Sequence, residues 1–313
     1  MRYCRFDNDR LGVVRGDQVH DVTAVLEKLP AVRWPLPAYD PLVAALPKLR
    51  GDMEAAADRV AGVPISSVKL LNPVPNPSKV IGAPVNYHAH IDEANRDQQI
   101  SFGKTIKTID HYGVFLKSNS SLSGPSEPVP VVEKDRRTDH EVELAAIIGE
   151  TCFDVPEEGA LKYIAGYAIG LDMTIRGPEE RSLRKSLDRF SVVGPCFVTA
   201  DEIPDPENLD LEILVNGEVR QKSNTSRLIF GVAKLVSYCS NFYTLYPGDI
   251  IMTGTPEGVG PVQAGDVMHA KIEKVGEMTV AITRRTAPLP LSEKEGGVRG
   301  RAKRQHEKEN SGE

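Results

Sequence analysis

Cysteine is scarce in this 313-residue chain: Cys4, Cys152, Cys196 and Cys239 stand far apart, with no C-x-x-C pair. That scatter supplies neither a thiolate metal site nor a disulfide framework, and it suits reduced thiols in a cytoplasm. Long apolar runs are missing too; none approaches the about 18 residues of a membrane-spanning helix. The opening Met1-Arg-Tyr-Cys-Arg-Phe-Asp7 lacks the apolar core of a secretion signal. Positive charge is not in excess, since the formal net charge is −6. The one basic cluster, Arg299-Gly-Arg-Ala-Lys-Arg304, lies among acidic neighbours, so nothing calls for a nucleic-acid partner. No internal repeat is present.

What remains is an ordinary globular balance, 40% hydrophobic and 26% charged. Residues 1–25 alternate as strand, turn and strand, with turns at Asp9-Arg10 and Arg15-Gly16-Asp17. From Pro41 to Val60 apolar residues recur at helical spacing, interrupted by Pro47 and Gly51. The proline-rich Asn72-Pro-Val-Pro-Asn-Pro-Ser78 reads as a linker, dividing a small N-terminal α+β domain (1–72) from a larger unit (73–287). The larger unit is β-rich, so the class is mixed α+β. Its clearest helix starts near Ser226 and carries Leu228, Val232, Leu235, Cys239 and Phe242 on one stripe. Residues 288–313 are charged and nearly devoid of apolar groups, the composition of a disordered tail.

The chemistry is carried by carboxylates in apolar surroundings. Glu141 and Glu143 open the run Glu141-Val-Glu-Leu-Ala-Ala-Ile-Ile-Gly149, which reads as a strand entering a core. Residues i and i+2 of a strand share a face, so these two carboxylates stand side by side. They repel, and burying them unpaired is costly; a divalent cation resolves both problems. An edge strand with both glutamates in water is the alternative. Asp172 favours the cation, because it sits in a second apolar stretch, Tyr163-Ile-Ala-Gly-Tyr-Ala-Ile-Gly-Leu-Asp-Met-Thr-Ile175, without turn chemistry around it. Oxygen ligands of this kind suit Mg²⁺, with Mn²⁺ or Ca²⁺ as other candidates, and three carboxylates leave about half of an octahedral shell for water and substrate.

These residues resemble the fumarylacetoacetate hydrolase family. The motif D-x-E-x-E-L at Asp139, then G-Y-x-I-G-x-D ending at Asp172, follows its pattern. So does Gly248-Asp-Ile-Ile-Met-Thr-Gly-Thr-Pro-Glu-Gly-Val-Gly260. Asn86-Tyr-His-Ala-His-Ile-Asp-Glu93 is similar to its N-Y-x-x-H-x-x-E element. Phe115-Leu-Lys117, Lys185-Ser-Leu-Asp188 and Val215-Asn-Gly-Glu-Val-Arg-Gln221 match in the same order, so the likeness covers roughly residues 80–280. It implies a β-roll of mixed sheets, a homodimer, a small keto-acid substrate and metal-dependent hydrolysis of a carbon–carbon bond in a β-diketo acid. Acylpyruvates and fumarylacetoacetate-like compounds are such substrates, met in aromatic catabolism.

Spacing alone leaves the proton carrier open. On a short helix beginning at Asn86, His90 pairs with Glu93 on one face and His88 with Asp92 on another. The resemblance selects His90 as general base with Glu93 orienting it, and makes His88 a surface residue. It implies that Lys185, otherwise an ordinary exposed lysine, stabilises developing negative charge. It also implies that Arg176 holds a substrate carboxylate bidentately. Gly254 and Thr255 fit a hairpin turn equally well; within the family pattern the glycine N–H and the threonine hydroxyl face an anion.

Several positions depart from the family pattern. Glu179 stands where glutamine is frequent, and Asn119 where proline is. The interval from Asp172 to Lys185 is short, and that from His90 to Phe115 is long. An isomerase or decarboxylase of a related keto diacid, such as 2-hydroxyhepta-2,4-diene-1,7-dioate or oxaloacetate, is therefore the alternative activity. The long interval, residues 94–113, carries Ile100, Phe102, Ile106 and Ile109 among Lys104 and Lys107, and reads as a lid hinged at Gly103 and Gly113.

Overall fold

The computed structural model describes residues 1–131 and 136–285. The charged tail expected over residues 288–313 lies outside the described residues.

Strands dominate because the apolar runs are short and rich in valine and isoleucine. Among the described residues they form sheets of twelve, three and five strands. The large sheet is built around Val142–Ile148, which pairs antiparallel with Ile164–Asp172 on one side and Ile250–Met252 on the other. Ser191–Thr199 adjoins Ile164–Asp172, while Val80–Gly82 and Phe115–Lys117 extend the opposite edge. Every residue of Val142–Ile148 is buried. Alternation explains this: Val142, Leu144, Ala146 and Ile148 point into one apolar core, Ala145 and Ile147 into another. The sheet is a middle layer between two cores.

The second core is shared with the N-terminal segment. Arg2–Phe6 joins the large sheet beside Ser191–Thr199, with Tyr3 opposite Phe197 and their rings stacked. The helix Pro41–Ala57 buries Val43, Leu46, Leu49 and Met53 against the same face. Asp40 caps it, accepting from the N–H groups of Leu42 and Val43 at 3.0 and 3.1 Å. The helix runs through Pro47 and Gly51, both read as interruptions, because its buried stripe holds it in register. Asp40 also accepts from the N–H of Asn76 in the proline-rich stretch, so residues on both sides of the 72/73 division are tied together.

The later helix starts at Val232, not near Ser226. The backbone N–H groups of Ile229 and Phe230 are taken by the carbonyl and side-chain oxygens of Asn86, which keeps those residues out of the helix. Val232, Leu235 and Cys239 are buried as the stripe requires, whereas Phe242 is 64% exposed.

Candidate active site

Three carboxylates meet where the large sheet passes into the three-stranded one. Glu141 sits between Thr138–His140 and Val142–Ile148, at the point where the chain changes sheets. Asp172 ends its strand directly across from Glu141, whose carbonyl accepts from the Asp172 N–H at 2.9 Å. Glu143 follows one step along, opposite Gly170. Alternation puts Glu143 on the face of Ala145 and Ile147, and Asp172 on the face of Ala168. The side chains thus converge: Glu141, Glu143 and Asp172 each present an oxygen within 4.8 Å of the others, and all three are buried. His140 lies on the other face, where its Nδ1 is 3.0 Å from Gln221 Oε1.

Cations surround the cluster. Lys185 Nζ lies 2.6 Å from Glu141 Oε2, 2.6 Å from Asp172 Oδ2 and 2.7 Å from Thr174 Oγ1. Lys117 contacts Asp172 as well and donates to the carbonyl of Phe190 at 2.8 Å. Burial opposes the charge on Glu141, but Lys185 and Arg176 outweigh it and hold that carboxyl well below the usual carboxylate range. Among the described residues Glu143 has no ammonium contact; burial, and then the neighbouring Asp172, push its pKa well above the ordinary value. Burial likewise pulls Lys117 down, against the pull of Asp172. A donor set of three buried carboxylates, one lacking a countercharge, fits a divalent cation.

Beside the cluster, the short helix His88–Arg96 carries the histidine and glutamate singled out in the sequence. His90 Nδ1 faces Glu93 Oε2 at 3.3 Å, while His88 is exposed. Asn86, expected to open this helix, is buried one residue further out. Its amide donates to the carbonyls of Phe230 and Thr253 at 2.9 and 2.8 Å, locking the helix entry to the loop after Ile250–Met252. That loop fixes both halves of the site. Gly254 N–H donates to Glu143 Oε2 at 2.7 Å, and Gly258 N–H donates to both oxygens of Glu93 at 3.0 and 3.1 Å. Both glycines have left-handed backbone, φ +99° and +91°, and a Cβ on Gly258 would stand 2.0 Å from the carbonyl oxygen of Arg220.

One cleft is lined by His90, Glu141, Glu143, Asp172, Arg176, Lys185 and Thr255, so the site residues read from the sequence come together around it, with Glu93 and Gly254 just behind. Three roles differ from expectation. Arg176 spends two arms on protein carboxylates, Asp139 Oδ2 at 2.8 Å and Glu141 Oε1 at 2.9 Å, rather than leaving both to a substrate. Gly254 gives its N–H to Glu143 rather than to an outside anion. Thr255 donates to the carbonyl of Val142 and accepts from Gln221, so its hydroxyl proton is committed. Sequence reasoning missed Lys117, Gly258 and Gln221 as parts of the site. Each lies in a motif quoted above, but nothing local marks Phe115-Leu-Lys117 as more than a strand.

A sequence profile of the fumarylacetoacetate (FAA) hydrolase C-terminal family matches residues 79–283. The chain belongs to the fumarylacetoacetate hydrolase family. It is 53% identical over 284 residues to a maleylpyruvate hydrolase of Aquipseudomonas alcaligenes, covering 90% of this chain and 99% of that one. It is 35% identical over 293 residues to the 2,4-didehydro-3-deoxy-L-rhamnonate hydrolase of Sphingomonas sp. SKA58, covering 88% and 94%. Among solved structures, the maleylpyruvate hydrolase of Sphingobium sp. SYK-6, crystallised with manganese(II) and pyruvate, superposes with a TM-score of 0.78 at 44% identity. That match covers 91% of this chain and 99% of the other. The β-rich, mixed-sheet fold expected from the motifs is the fold of the fumarylacetoacetate hydrolase family. Among the described residues no helix is long and apolar enough to cross a membrane.

Proposed function

We propose that this chain is a divalent-metal-dependent hydrolase that cleaves a carbon–carbon bond in a β-diketo acid of the acylpyruvate class. The observation that carries this reading is the convergence of a buried carboxylate triad and a histidine–glutamate pair beside one cleft. Its similarity to two maleylpyruvate hydrolases supports the substrate class.

Glu141, Glu143 and Asp172 would hold the ion, with Mg²⁺ proposed and Mn²⁺ or Ca²⁺ as substitutes. When bound there, the ion would supply Lewis-acid stabilisation of developing negative charge. His90 takes a proton from water, and Glu93, anchored by Gly258, orients the ring and stabilises the imidazolium. The hydroxide adds to the acyl carbonyl, and Lys185 stabilises the oxyanion so formed. The bond from acyl carbon to methylene carbon then breaks, leaving its electron pair as the enolate of pyruvate. A proton on that carbon completes pyruvate, and the acyl half departs as a carboxylate. Arg176 keeps Glu141 ionised and oriented, while Thr255 and Gly254 shape the wall behind the triad.

Hydrolysis is preferred over isomerisation or decarboxylation because enolate chemistry alone does not need an oriented base for water. The same reading takes the protein as a cytoplasmic enzyme of aromatic catabolism, which its four buried free cysteines fit. A homodimer rests on the family resemblance alone. The deciding experiment follows acetylpyruvate and maleylpyruvate cleavage with Mg²⁺, Mn²⁺, Ca²⁺ and chelator. Metal-dependent release of pyruvate is expected; full activity in the chelated sample, or no cleavage of either compound, overturns the proposal.

A further inference from the structure

A single helical turn, Arg181–Arg184, stands at the rim of the cleft and runs directly into Lys185. Glu180 caps it, accepting from the N–H of Ser182 at 2.6 Å. Positions 181, 184 and 185 follow i, i+3, i+4 spacing and so share one face of the turn. Lys185 reaches the carboxylates from that face, and both arginines line the same cleft.

The two arginines differ from every other cation of the site in what they touch. Lys117, Arg176 and Lys185 each meet a carboxylate. Among the described residues, Arg181 and Arg184 meet none. Arg181 lies over the ring of Tyr112 at 4.5 Å from its centroid. Arg184 donates through Nε to the carbonyl of Glu179 at 2.8 Å. Both are thus positioned by neutral groups, an aromatic face and a backbone carbonyl. Burial pulls both below the usual guanidinium range and outweighs the opposing pull of Glu180 and Glu141 on Arg181 and of Glu141 and Glu179 on Arg184. Pro84, Val85, Ala94, Ile100 and Ile106 line the same cleft.

A cleft that brings together a carboxylate triad, several apolar side chains and two guanidinium groups without a carboxylate contact suits a molecule charged at both ends. Resting on the hydrolase reading above, we propose that Arg181 and Arg184 form the subsite for a second, distal carboxylate on the acyl half of the substrate. The substrate is then a short dioic β-diketo acid rather than a simple acylpyruvate. The triad serves the keto-acid end, Ile100 and Ile106 pack on the carbon chain, and the guanidinium donors engage the far carboxylate with charge-assisted hydrogen bonds.

The test compares maleylpyruvate, which carries the distal carboxylate, with acetylpyruvate, which ends in a methyl group. Mg²⁺-loaded wild type, Arg181→Met and Arg184→Met are measured; methionine keeps much of the stem and removes the charge. Wild type should favour the dioic acid in kcat/KM, and each variant should lower that ratio by about tenfold or more, with the loss on maleylpyruvate falling in KM. An unchanged ratio, whether both activities fall together or neither does, overturns the subsite. If wild type cleaves neither compound, the hydrolase reading fails on its own. Calorimetry on the Mg²⁺-loaded protein then decides the subsite, with maleate and (Z)-but-2-enoate as probes. Tighter binding of maleate that disappears in Arg181→Met supports it, and equal binding of the two acids, or a preference that survives the substitution, overturns it.

Discussion

The backbone N–H of Asp172 donates to the carbonyl of Glu141 across 2.9 Å. This ladder bond, not side-chain flexibility, brings carboxylates from distant parts of the chain to one point. Because the strand period is two, a one-residue slip in this pairing would turn Asp172 to the opposite core and dissolve the triad.

The three acids should not respond alike to substitution. Glu143 accepts from the Gly254 N–H and, among the described residues, faces no ammonium group, so Glu143→Gln relieves repulsion while keeping shape. Its unfolding free energy should stay within about 1 kcal/mol of wild type or rise, while Mg²⁺ affinity drops beyond detection. Asp172→Ala leaves Lys117 without its carboxylate and Lys185 with Glu141 alone, and should cost about 3–5 kcal/mol as well as metal binding. Urea unfolding paired with calorimetric Mg²⁺ titration separates the two; a Glu143→Gln protein that binds Mg²⁺ normally would remove Glu143 from the ligand set.

His90 is a base and not a ligand in this scheme. Its replacement by alanine should reduce kcat for hydrolysis by about 10²–10⁴-fold while the Mg²⁺ titration is unchanged. His88→Ala, at an exposed position, should leave both alone. Reversed behaviour of the two mutants would show that the wrong histidine has been chosen.

Gly258→Ala tests the anchor behind the base. A Cβ there would stand 2.0 Å from the Arg220 carbonyl on a backbone with φ +91°, so the loop must move and Glu93 loses its N–H donor. A stability loss of about 1–3 kcal/mol is expected, together with a fall in kcat that resembles that of Glu93→Gln. Wild-type kcat in Gly258→Ala would mean that Glu93 needs no backbone support.

Residues 94–113 should respond to occupancy of the cleft. Ile100 and Ile106 line it, whereas Phe102 is 45% exposed and Gly103 and Gly113 have positive φ. Asn95 bonds both the N–H and the carbonyl of Ile106, so the segment is held as a loop closed at its base. Limited proteolysis with Mg²⁺ should cut within this segment, and oxalate should slow that cut. Equal cleavage with and without oxalate would leave it a plain surface insertion.

The triad was legible because strand alternation and an apolar frame are local properties: Glu141, Glu143 and Asp172 declare themselves within a few residues of sequence. Spacing alone left His88 and His90 as equal candidates; the family resemblance selects His90, and His90 is the buried one of the two. Lys117 was hidden because its significance is a contact with Asp172 through strand order that no local pattern encodes. The helix near Ser226 was read too long for a related reason. Helical periodicity continued back to Leu228, but Asn86, far away in sequence, captures the backbone at Ile229 and Phe230 first. Pro47 misled in the opposite direction, since tertiary packing overrode a local breaker.

Glu143 and Glu93 both hang from amides of the loop that follows Ile250–Met252, those of Gly254 and Gly258. The spacing between Glu143 and Glu93 is therefore set by a short run of covalent backbone, which stretches far less than packed side chains do. Such a mount separates two kinds of change. On the subsite proposed above, replacing Arg181 or Arg184 alters which molecules are accepted, whereas an insertion of even one residue between the two glycines shifts Glu93 against Glu143.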